Sequence, residues 1–414
     1  MDFRPSARSQ DVARRVRAFL EDRVLPREGE LDRARRTQAP GAEWRSWRVT
    51  SQLHKLREEA RAEGLWNLFL PDAKLGAGLS TVEYAPVAEE MGRSLLAPEL
   101  FNCNAPDTGN MEVLWRYGSD AQKARWLTPL LDARIRSAFC MTEPDVASSD
   151  ATNVRATARV EGDEVVLDGR KWWCTGLGHP ECRLLVFLGV TDPQADRYHR
   201  HSMVLVPKDA KGVRIERMLD VFGDHDGPYG HGEVTFTDVR LPKDEALVAG
   251  PGAGFEIAQG RLGPGRIHHC MRCVGAAERA LELLVRRGAS RVAFGKPLVN
   301  LGGNRERIAE HRIAIDQARL LTLHAAWRLD EVGPLGALAD VSAIKVAAPN
   351  VLQRVVDDAI QMHGGLGLTS DVPLASMLAL ARVLRIADGP DEVHRGVVAR
   401  AELAKYPELR RSGE

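Results

Sequence analysis

Apolar positions along the chain change their spacing twice. Between about residues 9 and 132 they return at three- and four-residue intervals, as in Val12, Val16, Phe19 and Leu20, and again in Leu53, Leu56 and Ala60. That is the spacing of a helix face packed on a core, and it predicts a helical zone. The Pro- and Gly-bearing stretch 102–110 reads as a loop between two of its helices. From about 139 to 249 the period shortens to two. Residues 157–169 predict a hairpin turning at Gly162-Asp163, and 183–191, 201–207 and 233–239 predict further strands. Short strands separated by Gly, Asp and Pro predict a small β-domain. From about 254 the spacing is helical again, over 272–287, 309–332, 337–362, 373–386 and 392–404. Long helices joined by short links predict a bundle. The fold class expected is α+β: an N-terminal all-α domain over 1–136, a middle β-domain over 137–250 and a C-terminal helical bundle over 251–414.

The balance of charge narrows the function. The 414 residues carry 57 basic and 57 acidic side chains. A dedicated nucleic-acid binder needs a positive surplus, so nucleic acid is not an expected partner. No apolar run nears the roughly 18–20 residues that span a bilayer, so no membrane association is expected. The start, Met1-Asp-Phe-Arg-Pro-Ser, lacks the apolar core of a signal peptide, and Asp11, Glu21 and Asp22 are unlike an acid-poor transit peptide. Six cysteines do not make a disulfide framework in a chain of this length, and a reducing cytoplasm is the expected location.

Several segments could carry chemistry. No G-x-G-x-x-G follows a strand, which disfavours a nicotinamide Rossmann enzyme, and Gly250-Pro-Gly-Ala-Gly254 reads as a plain loop. Cys270 and Cys273, behind His268 and His269, resemble half a zinc site, but i, i+3 cysteines on a helix read better as small core residues. Cys140-Met-Thr-Glu-Pro-Asp-Val-Ala-Ser-Ser-Asp150 offers hydroxyls and amides that could wrap an anionic or heteroaromatic ligand, or form a polar turn. In Lys171-Trp-Trp-Cys-Thr-Gly176 strand alternation would send one indole to the core and free the other to stack on a planar ligand, although both could simply pack. Arg291-Val-Ala-Phe-Gly-Lys296 could bind phosphate or cap a helix end. Gln361-Met-His-Gly-Gly-Leu-Gly367 reads as a glycine stop. In Ile386-Ala-Asp-Gly-Pro-Asp-Glu-Val-His394, Pro390 suits the first turn of a helix, and Asp388 is either a cap or a general base on a tight loop.

In order and spacing these segments resemble the flavin-dependent acyl-CoA dehydrogenase family, over about residues 10 to 405. The resemblance implies an N-terminal α-domain, a middle β-barrel or sandwich and a C-terminal four-helix bundle. It implies FAD, bound by Met141, Thr142, Ser149, Trp173 and Thr175, with Pro390 and Glu392 also near the cofactor. Arg291 and Phe294 would reach a neighbouring subunit's FAD, and Gln361, Gly364 and Gly365 would reach its adenosine-diphosphate half. A homodimer or homotetramer with FAD shared across the interface follows. For the acyl-CoA, the implied contacts are Ser148 or Ser149, Arg266, Gly389 and Arg400. The two serines compete because the loop has one residue more than the common T-E-P-x-x-x-S pattern. The implied reaction is α,β-dehydrogenation to a trans-2-enoyl-CoA, with electrons passed to an electron-transfer flavoprotein, as in fatty acid β-oxidation. The thioester carbonyl would be held by the Asp388 N–H and a flavin ribityl hydroxyl.

The base departs from the common pattern. Asp388 stands where most members have Glu, in Ala387-Asp-Gly-Pro390 instead of Tyr-Glu-Gly-Thr. Asp reaches about 1.5 Å less far. The motif resembles a branch whose animal members fuse the dehydrogenase to a kinase-like domain and handle long-chain and 4-hydroxy acyl-CoAs. These 414 residues are not expected to include that domain, and any partner kinase is expected to be a separate chain. Two rivals share the fold. A nitroalkane oxidase also uses Asp but needs no CoA contacts, and an acyl-CoA oxidase differs in oxygen access.

Overall fold

A computed structural model describes residues 5–407, with the side chain of Leu262 left out. The Met1–Arg4 stretch read for a leader peptide lies outside the described residues. By internal contacts the described chain divides into two compact units. One comprises 5–29, 79–98 and 263–407, and the other 30–78 and 99–262.

The first unit is helical. It contains α1 (Ala7–Phe19), the start of α2 (Glu28–Gln38), and α4 (Thr81–Gly92); α3 (Ser51–Ala62) and α5 (Asp107–Tyr117) belong to the second unit. The first unit continues with α6 (Gly254–Ser290) from residue 263, then α7 (Asn304–Gly336), α8 (Leu338–His363), α9 (Leu374–Leu384) and α10 (Asp391–Leu403). Val12, Val16 and Phe19 are buried at the expected spacing, and Leu20 follows them. Helices α4 and α6 meet through glycine. A Cβ on Gly275 would lie 1.8 Å from the Glu89 carbonyl oxygen, and one on Gly92 would lie 2.2 Å from that of Arg272. No larger residue fits that approach.

The second unit is built on a mixed seven-stranded sheet. Its strands are β1 (Arg136–Cys140), β2 (Thr157–Glu161), β3 (Glu164–Thr175), β4 (Cys182–Val190), β5 (His201–Pro207), β6 (Val213–Leu219) and β7 (His231–Pro242). They run in the order β1-β4-β2-β3-β7-β6, with β5 on β4. The β2–β3 hairpin turns at Gly162-Asp163, pairing Glu161 with Glu164. Phe187 of β4 and Phe236 of β7 are not on neighbouring strands, yet their rings meet edge to face at 4.7 Å. The sheet therefore curls over one core, which also holds Trp47, Ala138, Leu167 and Leu185.

Several boundaries differ from the sequence reading. The loop expected at 102–110 ends at Pro106, because α5 begins at Asp107 and includes Gly109. Helix α6 begins 18 residues before the expected 272, carrying Gly260, Gly263, Pro264 and Gly265 inside it. Tertiary packing overrides those weak formers. Strand β6 was not foreseen; it lies at the sheet edge and has only Val213 and Ile215 in alternation before a bulge. Helix α7 is interrupted at Gly333 (φ 71°), just before Pro334. All six cysteines are buried free thiols, Cys270 and Cys273 among them, as the packing reading requires. Among the described residues no group of three or more His, Cys, Asp or Glu could hold a metal, and no helix is long and apolar enough to cross a membrane.

Candidate active site

The loop between α9 and α10 carries Asp388. Its backbone is left-handed (φ 56°), and Gly389 follows at φ 103°. Asp388 does not cap α10. The N-cap position is Pro390, one residue earlier than its expected place in the first turn, and no side chain caps there. Three side chains grip the loop's main chain instead. Arg266 Nε and His394 Nε2 each approach the Asp388 carbonyl oxygen at 3.1 Å. Lys345 Nζ donates to the carbonyl of Leu384 and, at 3.4 Å, to that of Gly389. All three side chains are buried.

The network assigns the His394 tautomer. A carbonyl only accepts, so Nε2 carries the proton and donates to Asp388. In the neutral ring Nδ1 then accepts from the Ser342 hydroxyl, 3.2 Å away. Burial first, then the nearby Arg266 charge, pushes the His394 pKa down to about 4, so the ring is neutral at ordinary pH. The Asp388 carboxylate is left 27% exposed, with His269 Nε2 3.6 Å from Oδ2.

In the second unit the implied flavin contacts cluster around the end of β3. A bulge sets Lys171 opposite Val234 and Cys174 opposite Gly232, so three residue steps on β3 face two on β7. This breaks the alternation expected for the two tryptophans. Neither is in the core: Trp172 is half-buried, and Trp173 is 41% exposed in a left-handed conformation (φ 52°). Thr175 Oγ1 hydrogen-bonds His231 Nδ1 at 2.9 Å, and the His231 ring lies 5.6 Å from that of Trp173. The main-chain N–H of Trp172 donates to the Thr142 carbonyl, 2.9 Å away. An open indole face beside threonine hydroxyls and main chain fits a flat heteroaromatic ring.

The loop after β1 is pinned by a buried ion pair. Lys171 Nζ donates to Glu143 Oε1 at 2.8 Å and to the Met141 carbonyl at 2.9 Å. Glu143 also accepts from the N–H groups of Arg155 and Ala156, both at 2.9 Å. The two serines differ in their surroundings. Ser148 Oγ accepts from the Glu143 N–H at 3.0 Å and is committed to the loop, whereas Ser149 is exposed.

The remaining residues are surface features of the helical unit. Arg291 follows the end of α6, and Phe294 is 95% exposed at the tip of a hairpin, strands β8 (Val292–Ala293) and β9 (Lys296–Pro297), again at positive φ (50°). Gln361 lines a cavity of about 370 Å³ with Leu284, Asn304, Arg307 and Asp358. Gly364 (φ 63°) stops α8 as expected, and Gly365 follows it in a short 3₁₀ turn. Glu392 and Arg400 are exposed on α10. The geometry thus brings Arg266, Asp388 and Gly389 together in one unit, and Met141, Thr142, Trp173 and Thr175 in the other. Sequence reading missed Glu143, Lys171, Ser342, Lys345 and His394. The detectable signals were lysines within otherwise apolar or aromatic runs.

Trp173, Phe294 and Asp388 are all non-glycine residues at positive φ, a conformation that costs of order 1–3 kcal/mol and clusters at functional sites. A carboxylate presented by a gripped, strained loop is the equipment of an acid–base enzyme. Three family models match the chain: "Acyl-CoA dehydrogenase, N-terminal domain" over 6–134, "middle domain" over 138–239 and "C-terminal domain" over 252–403. The chain is 54% identical, over 93% of its length and 36% of the relative's, to acyl-CoA dehydrogenase family member 10 of Mus musculus. It is 48% identical, over 98% of both chains, to a probable acyl-CoA dehydrogenase, FadE2, of Mycobacterium tuberculosis. The solved structure of a putative acyl-CoA dehydrogenase from Mycobacterium abscessus is 64% identical and superposes with a TM-score of 0.93, over 97% of this chain and 100% of that one. The chain belongs to the acyl-CoA dehydrogenase family. It spans between about a third and a half of the length of the animal relatives it matches.

Proposed function

We propose that this chain is an FAD-dependent acyl-CoA dehydrogenase that converts an acyl-CoA thioester to its trans-2-enoyl-CoA, with an electron-transfer flavoprotein as the acceptor. The observation that carries this reading is Asp388, whose carboxylate is offered by a loop held through its own main chain. The residues that would hold FAD are Thr142, Trp173 and Thr175, with Ser149, and, from a neighbouring subunit of a homodimer or homotetramer, Arg291, Phe294 and Gln361. Bound FAD supplies the two-electron acceptor for the β-hydride. Asp388 takes the α-proton. Its carbonyl, gripped by Arg266 and His394, fixes the peptide plane and so the direction of the carboxylate. Buried Arg266 and Lys345 set positive potential around the loop, which favours the enolate-like charge that develops as the proton leaves. The substrate class to test first is long-chain or 4-substituted acyl-CoA, because Ala387 leaves room beside a short base. The setting is cytoplasmic lipid breakdown.

The test is anaerobic mixing of the purified enzyme with acyl-CoAs of different length and 4-substitution, watching the flavin absorbance. The expected result is bleaching by at least one acyl-CoA and none by a nitroalkane. Bleaching by nitroalkanes alone would make it a nitroalkane oxidase. Arg291→Ala is expected to weaken FAD retention, since a charge-assisted phosphate contact contributes about 1.5–3 kcal/mol. Dialysis against dilute buffer followed by absorbance at equal protein concentration measures it, and full retention in the variant removes Arg291 from the cofactor site.

A further inference from the structure

Two residues one helical turn apart on α6 address opposite ends of the same aspartate. Arg266 meets the main-chain carbonyl of Asp388, and His269 Nε2 stands 3.6 Å from its carboxylate Oδ2. Positions i and i+3 share a helix face, so one turn of α6 reaches both. His269 is one of the histidines that the sequence offered as half of a zinc site, a role for which no cluster exists among the described residues.

The neighbouring groups come from three helices. On α6 they are Arg266, His268, Cys270 and Arg272; on α8, Lys345; on α10, His394. Burial holds His268 well below the ordinary histidine range, and its ring packs edge-on against Tyr84 at 4.7 Å. His394 is held neutral, as derived above, and burial pushes the Cys270 thiol up. Arg266 and Lys345 are occupied with loop carbonyls. His269 differs in keeping 20% of its side chain exposed beside the base. An imidazole in contact with water changes charge near neutral pH.

We propose that His269 is a positioning residue that sets the strength of the base: protonated, it pairs with Asp388 and keeps the carboxylate ionised but weakly basic; deprotonated, it releases a stronger base. This rests on Asp388 being the α-proton acceptor. The sign follows from the charge. A cation beside a carboxylate lowers the pKa of its conjugate acid, and a weaker base abstracts a carbon-bound proton more slowly. The proton lost by His269 goes to solvent, and nothing is oxidised or reduced in that step. Flavin reduction should therefore accelerate as pH rises through the His269 titration.

The test uses the FAD-loaded enzyme in wild-type form and as His269→Gln and His269→Arg. Flavin bleaching by hexadecanoyl-CoA is followed by anaerobic stopped flow from acid to alkaline pH. Wild type should rise by about threefold to tenfold across neutrality. His269→Gln should lose that rise. His269→Arg, a fixed cation, should stay slow throughout. Parallel profiles in all three would overturn the proposal, since a merely structural residue moves the level and not the shape. A second measurement needs no substrate. Enzyme labelled with ¹³C in the histidine rings is titrated by NMR, with the His269 signal assigned by its loss in His269→Gln. Coupling is reciprocal, so Asp388→Asn should lower the His269 midpoint by about one pH unit or more. An unmoved midpoint refutes the pair even if no acyl-CoA bleaches the flavin, and a moved one sustains the pair while the catalytic reading fails.

Discussion

Asp388→Asn is expected to give a folded, yellow enzyme that still binds acyl-CoA and no longer bleaches. The substitution is nearly isosteric and keeps the main-chain contacts that hold the loop. Arg266 and His394 hold the carbonyl of residue 388, not its side chain. Asn also tolerates the left-handed backbone observed at this position, φ 56°. Only the basic oxygen is lost, and loss of a general base costs about 10²- to 10⁴-fold in rate. A helix-capping role predicts the opposite, because Asn caps as well as Asp, and the capping position belongs to Pro390. Asp388→Glu separates base from reach. It restores the base common in the family but extends it by about 1.5 Å. With Ala387 beside it, the longer side chain should penalise bulky or 4-substituted acyl chains more than straight ones. Stopped-flow bleaching at saturating acyl-CoA reads both variants. Wild-type rates in Asp388→Asn would remove it from catalysis.

What the sequence revealed about this site follows from how local each cause is. The β2–β3 turn and the glycine stop after α8 are set by a few neighbouring residues, and both fall where the pattern puts them. The start of α6 was missed because Gly260, Gly263, Pro264 and Gly265 read locally as breakers. The same helix later presses Gly275 onto α4, an approach that no single-segment pattern reveals. At the site, Asp388 was legible as a carboxylate in a helix break. Its clamp was not, because Arg266, Lys345 and His394 come from three helices far apart in sequence. Alternation likewise failed at Trp172 and Trp173, where a bulge in the pairing with β7, far along the chain, decides which way each ring points.

The buried pair Lys171–Glu143 should matter to cofactor binding more than its distance from any reacting atom suggests. Both side chains are almost wholly inaccessible, 0% and 4% exposed. Burial draws the Lys171 pKa down, and the Glu143 charge opposes that shift. Lys171→Met keeps most of the volume and removes the ammonium. Glu143 is then a buried carboxylate that has lost its ammonium partner and keeps the Arg155 and Ala156 N–H groups as hydrogen-bond donors. An uncompensated buried charge of this kind costs about 3–5 kcal/mol. The substitution itself leaves the Met141 carbonyl without the Lys171 ammonium, and the loop can escape the cost by swinging Glu143 to water, which would disturb the main chain whose Glu143 N–H holds the Ser148 hydroxyl. Met141 and Thr142 are the proposed flavin contacts, so the variant should lose FAD as well as stability. Glu143→Gln added to Lys171→Met removes the stranded charge and should recover much of the stability, as a coupled pair requires. Thermal melts and flavin absorbance at equal protein concentration measure both effects. A Lys171→Met enzyme that melts like wild type and stays fully yellow would show that the pair holds nothing the flavin needs.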